Sequence, residues 1–139
     1  MSQRTKGREL ALRILYGHDL SGWCAAKEDP ELNWWNPEDP FYAGREPQRF
    51  GTQLFRGVLD HLDLIDTEIA STAEHWALKR LTPVDRNLIR IGVYEIRYRP
   101  DIPAEATINE LIELAKVYGE EDSGTFINGI LDSILKATR

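Results

Sequence analysis

At 139 residues, with 42% hydrophobic and 29% charged residues, the chain has the size and composition of one globular domain able to bury roughly two thirds of its unfolded surface. No apolar run approaches the ~20 residues of a membrane span, the N-terminal MSQRTKGREL has no secretory pattern, and one cysteine, Cys24, excludes both an intramolecular disulfide and a thiolate zinc cluster. A soluble, cytoplasmic protein without metal or cofactor is expected. The net charge of -6 is unfavourable for nucleic acid overall, but the charge is unevenly spread. Residues 1–22 carry Arg4, Lys6, Arg8 and Arg13 against Glu9 and Asp19, whereas residues 101–122 carry seven acids against Lys116 alone. A basic edge suits RNA and an acidic edge a basic protein, although solvated helix faces carry such clusters too.

In chain order the periodicity predicts helices almost throughout. Over 4–21, Leu10, Ala11, Ile14 and Leu15 recur at one-turn spacing, and Ser21-Gly22 marks an end. Residues 22–48 form an inserted loop holding three of the four tryptophans and four of the seven prolines, long for a compact domain. Asp29-Pro30 can open a short turn there running through Trp35, and the loop is expected either to cover a groove or to bind a partner. Phe50, Leu54, Val58 and Leu62 then predict a helix over 49–62, and after a break at 61–63 the series Leu62, Ile65, Ile69, Trp76 predicts another.

Thr82-Pro83-Val84-Asp85 is a helix start, with a threonine cap, proline at the first position and an acid in the first turn. The helix should run to Tyr98, because Arg99 precedes Pro100 and is pushed out of helical geometry. Arg86, Arg90 and Arg97 fall within about 40° of one another, while Val84, Leu88, Ile89, Ile91 and Ile96 spread over the rest, the pattern of a central helix. Glu95 projects into the apolar sector and needs a partner: an arginine or a helix terminus that makes it a buried anchor is favoured over a role as catalytic acid.

The last stretch, INELIELAKVYGEEDSGTFINGILDSI, contains two helices separated by a turn. Thr107 to Glu110 has the capping-box pattern, Gly119 is placed to close the first helix in the left-handed conformation, and Asp122 or Ser123 is placed to cap the second. Ile127, Ile130, Leu131, Ile134 and Leu135 continue an apolar seam. Tyr118 and Phe126 flank the turn, and two roles are open for them: filling the core, or offering faces to unstacked bases. His18, His61 and His75 have no ligand spacing, and neither a phosphate loop nor a nucleophile motif is present. The chain is expected to be all-α and not an enzyme.

The phrases RELALRILYGHDL, LTPVDRNLIRIGVYEIRYRPDIP and TINELIELAKVYGEEDSGTFINGILDSI together resemble the NusB family of bacterial antitermination factors. The resemblance implies one all-helical domain over 1–139, built of two small bundles packed together. It further implies binding of single-stranded boxA-type RNA together with NusE, a small-subunit ribosomal protein, and entry into the RNA polymerase antitermination complex, notably on ribosomal RNA operons. Carried over position by position, the RNA contacts would be Arg4, Lys6 and Arg8 with Tyr118, Asp122 and Phe126. Asp85, Glu113, Glu120 and Glu121 are the acids expected to face the basic partner, and a homodimer is left open. Thr5 and Gly7 interrupt the arginine cluster of relatives, and Ala104 stands where some carry an aromatic. Rival functions are an RNA-binding module like that of ribosomal RNA methyltransferases, for which the end at Arg139 leaves no catalytic domain, and a protein-only adaptor.

Overall fold

The computed structural model describes residues 3–23, 45–73 and 81–138. Most of the tryptophan-rich loop expected at 22–48 lies outside the described residues, as do Cys24, His75 and Trp76. Six helices are present among them: α1 (Gln3–Ser21), α2 (Arg45–Asp60), α3 (Leu62–Thr72), α4 (Pro83–Tyr98), α5 (Ala104–Tyr118) and α6 (Ser123–Thr138), and no strand. α1 packs chiefly on α2 and α5 on α6, with α4 between the pairs and α3 set against α4 and α6. One apolar core runs through them, from Leu10 and Leu15 through Leu54, Ile65 and Ile89 to Leu111, Leu131 and Ile134.

The helix that sequence places at the centre holds that position. α4 packs against all five other helices, and Leu88, Ile89, Ile91 and Val93 are buried on its several sides. Its start is built as the residues dictate: Thr82 is extended and its hydroxyl accepts from the Asp85 N–H at 3.2 Å, with Pro83 at the first position. α1 ends at Gly22, whose φ of +87° lies in the left-handed region open to glycine, and the Trp23 N–H returns to the His18 carbonyl at 3.0 Å. α1 and α2 meet closely at Gly7 and Gly51, where a Cβ on Gly51 would stand 2.8 Å from the Gly7 carbonyl oxygen. Burial explains the interruption in the N-terminal basic run. Gly7 faces α2, and Thr5, on another side of α1, is buried too, so long cationic side chains have no room at either position.

Two expectations for the C-terminal half are corrected. α5 begins one turn earlier than the Thr107 capping box, at Ala104, and the Pro103 carbonyl accepts from the Thr107 N–H at 3.1 Å. The Thr107 hydroxyl is instead taken by Glu95 at 2.9 Å, deep in the core. Gly119 does close α5, but with φ -96° and ψ -168°, extended and not left-handed. Glycine is required there by space, since a Cβ would come within 2.7 Å of the Ser123 hydroxyl. At the start of α6 the Asp122 carbonyl accepts from the Phe126 N–H at 3.1 Å, while the Ser123 hydroxyl reaches back to accept from the Glu120 N–H at 2.9 Å.

Candidate functional site

The partner that Glu95 demands is Arg8. The guanidinium grips the carboxylate as a fork, Nε to Oε2 at 2.7 Å and Nη2 to Oε1 at 2.6 Å, and its Nη1 donates to Glu110 of α5. With the Thr107 hydroxyl on Oε1, every polar group of this knot is answered within the core. Arg8 and Glu95 are 0% and 1% exposed. Arg8 therefore does not face solvent, and the RNA contact expected of it has no geometric basis: a phosphate would have to displace two carboxylates from a buried cation. Its effect is to tie α1 to α4 and α5.

Arg4 and Lys6, by contrast, are exposed on α1. Farther along the same helix, Arg13 donates to the Tyr118 phenol oxygen at 3.1 Å and lies 3.8 Å from Glu9. Burial raises the Tyr118 pKa above its ordinary value, the Arg13 hydrogen bond opposes that, and the Glu9 carboxylate adds to it. Tyr118 and Phe126 are both half-buried against the edge of the core, with part of each ring left accessible. Nine residues separate Arg4 from Arg13, about 14 Å of helix axis, so α1 spans from a cationic end to the aromatic turn. The sequence shows Arg13 as one of the basic residues of this helix but not its role, because nothing local pairs it with a tyrosine 105 positions away.

The acidic groups sort in a similar way. Asp85, Glu120 and Asp122 converge where α4 and α6 begin. Asp85 is buried, its carboxyl bonded to Ser123, and Oδ1 has no hydrogen-bond partner. Its pKa is raised, first by burial and then by the like charges of Asp122 and Glu120, against the lowering effect of the Ser123 and Thr82 hydrogen bonds. Glu120, Glu121 and Asp122 are exposed. Glu113 stands apart from this group on α5, exposed and paired with Lys116 at 3.0 Å.

The arginine stripe of α4 staples helices together. Arg86 and Arg90 reach Asp19 of α1 at 2.7 and 3.2 Å, Arg90 forks onto Asp66 of α3 at 2.8 and 2.9 Å, and Arg97 pairs with Glu68. Sequence shows the stripe but not its acids, which come from α1 and α3. The Arg90 guanidinium also lies 5.3 Å from the Trp23 ring, holding the first residue past α1 against the body of the molecule.

Residues 5–136 match the profile of the NusB family. The chain is 45% identical over 136 residues to the transcription antitermination protein NusB of Geobacter sulfurreducens, covering 96% of this chain and 94% of that one. Its fold is similar to that of NusB from T. maritima, with a TM-score of 0.79 at 36% identity over 98% of this chain and 92% of the other. It is also similar to a chain in a crystal structure of the antitermination factors NusB and NusE in complex with double-stranded RNA, with a TM-score of 0.78 at 26% identity over 99% and 98% of the two chains. An all-α domain with α4 at its centre, a buried Arg8–Glu95 lock and this coverage from end to end leave one assignment: the chain belongs to the NusB family.

Proposed function

We propose that the protein is a transcription antitermination factor that binds boxA-type RNA together with NusE and enters the RNA polymerase antitermination complex, ribosomal RNA operons among its targets. The observation that carries this is the end-to-end similarity to a chain solved with NusE and RNA. The RNA strand runs along the outward side of α1, with Arg4 and Lys6 on phosphates and the accessible parts of Tyr118 and Phe126 at the bases, beside Asp122. Arg13 holds the Tyr118 ring in place. Arg8 serves from within by fixing α1. The exposed acids Glu120 and Glu121 before α6, with Glu113 along α5, face the basic partner, whereas Asp85, expected among them, is buried and does not. The protein works in the cytoplasm by binding, and carries out no reaction of its own.

Isothermal titration with purified NusE tests the partner half of this. Wild type should form a complex, and the Glu120→Lys, Glu121→Lys double variant should bind about tenfold or more weakly, with reversed charges at a surface whose exposed position leaves the fold intact. No heat of binding from wild type would contradict the assignment of NusE as partner.

A further inference from the structure

Where α1 and α2 begin, their N-terminal ends lie side by side and frame an open cleft of about 260 Å³ lined by Gln3, Arg4, Glu46, Arg49, Phe50 and Gln53. Phe50 forms its wall, and three guanidiniums gather on that one ring: Arg4 at 5.8 Å, Arg8 at 5.4 Å and Arg99 at 5.6 Å. The three cations differ in what holds their charge. Arg8 is locked onto Glu95 and Glu110, and Arg99 onto Asp101 at 3.1 Å with a longer bond to Gln53 at 3.4 Å. Arg4 has no carboxylate within ion-pair distance among the described residues; it stands over the ring and interacts at longer range with Asp101, which Arg99 already holds.

Arg49 enters from the other wall. Its nearest carboxylate is Glu46 at 3.9 Å, and both side chains are more than 60% exposed, so the pair is loose and readily exchanged for another anion. The two helix N-termini add the positive ends of two dipoles to the same corner. The volume is below the ~300–1,000 Å³ of pockets that enclose a whole drug-sized ligand, and is suited to one sugar-phosphate unit.

We infer that this α1–α2 cleft is a phosphate subsite for the RNA strand, in which Arg4 and Arg49 hold one backbone phosphate from opposite walls and Phe50 positions Arg4. The inference rests on the proposed RNA-binding function and extends it to α2. Because Thr5, Gly7 and Arg8 are buried, the cations that α1 exposes at this end are Arg4 and Lys6, and α2 supplies the further one. Glu46 is the built-in competitor, neutralising Arg49 until a phosphate replaces it. The subsite has no base-reading group aimed into it beyond the amides of Gln3 and Gln53, so it should add affinity with little sequence preference.

The test is fluorescence anisotropy with a labelled single-stranded boxA-type RNA across a salt series, on wild type, Arg49→Ala and Glu46→Gln. Both positions are exposed and leave the thermal transition in place. Arg49→Ala should weaken binding about three- to tenfold and reduce the steepness of log affinity against log salt by about 0.7, the loss of one single-strand phosphate contact. Glu46→Gln should tighten binding about two- to threefold, by removing a carboxylate that competes with phosphate for Arg49. RNA binding by wild type with both variants unchanged in affinity and slope would overturn the subsite and leave the functional proposal standing. Failure of wild type to bind the RNA would overturn both.

Discussion

Arg4 and Arg8 stand one turn apart on α1 and both reach the Phe50 ring, yet their surroundings are opposite. Arg8 points into the core, where two carboxylates from α4 and α5 neutralise it and a threonine hydroxyl completes the network. Arg4 lines an open cleft, over an aromatic ring and with Asp101 only at longer range. The same residue type on the same helix thus serves as a structural tie in one place and as an available cation in the other. What decides is not the arginine but what the rest of the chain brings to it.

Substitutions at the two ends of this contrast should separate stability from RNA affinity. The largest effect is expected from Glu95→Ala, which strands a buried guanidinium and should cost about 3–5 kcal/mol, read as a fall in Tm of roughly 10 °C or more. A loss below about 1 kcal/mol would mean that Arg8 can escape to water, and the contrast with Arg4 would collapse. Next comes Phe126→Ala, for which half-burial implies a loss of about 2 kcal/mol. If RNA affinity survives in the folded variant, the ring belongs to the core alone; if affinity falls by more than about tenfold, it stacks on a base as well. Arg4→Ala should leave Tm within about 2 °C while weakening RNA binding about three- to tenfold. A destabilised Arg4→Ala protein with unchanged RNA affinity would reverse the assignment of the two arginines.

The smallest effect is expected at the acidic end, from Asp85→Asn. The fold raises the carboxyl pKa above its ordinary 3.8, so it favours the neutral form, and stability is lost as pH rises from about 3.8 through the folded-state value. Asparagine removes that loss. The variant should gain stability at neutral pH relative to wild type, with the gain fading as pH falls below the ordinary carboxylate value. Melting curves over a pH series check the direction; a loss at neutral pH would show that the carboxylate is favoured by the helix N-termini it faces more than burial disfavours it.

Sequence specified the helices best where the backbone itself carries the signal. α4 has the boundaries that Thr82-Pro83 and Arg99-Pro100 require, and Gly22 ends α1 through its positive φ. The need of Glu95 for a partner was legible in the same way, because one carboxylate in an apolar sector is a local conflict. The identity of that partner was not, since Arg8 is 87 residues distant and its neighbours on α1 look equally cationic. Thr107 misled for a related reason. A threonine caps a helix only where the helix starts beside it, and here α5 already begins at Ala104, so Thr107 lies inside it and its hydroxyl donates to Glu95. At the site, sequence located the cationic end of α1 and the aromatic turn, but not the Arg13–Tyr118 bond or the cleft wall from α2, which arise only when helices pack.

The most direct test of the central claim is a titration of single-stranded boxA-type RNA into the protein, with and without NusE, at two salt concentrations. Three phosphate-contacting cations, Arg4, Lys6 and Arg49, predict that log affinity falls against log salt with a slope of about -2, and NusE should tighten binding further. No measurable RNA binding at low salt, alone or with NusE present, would contradict the account.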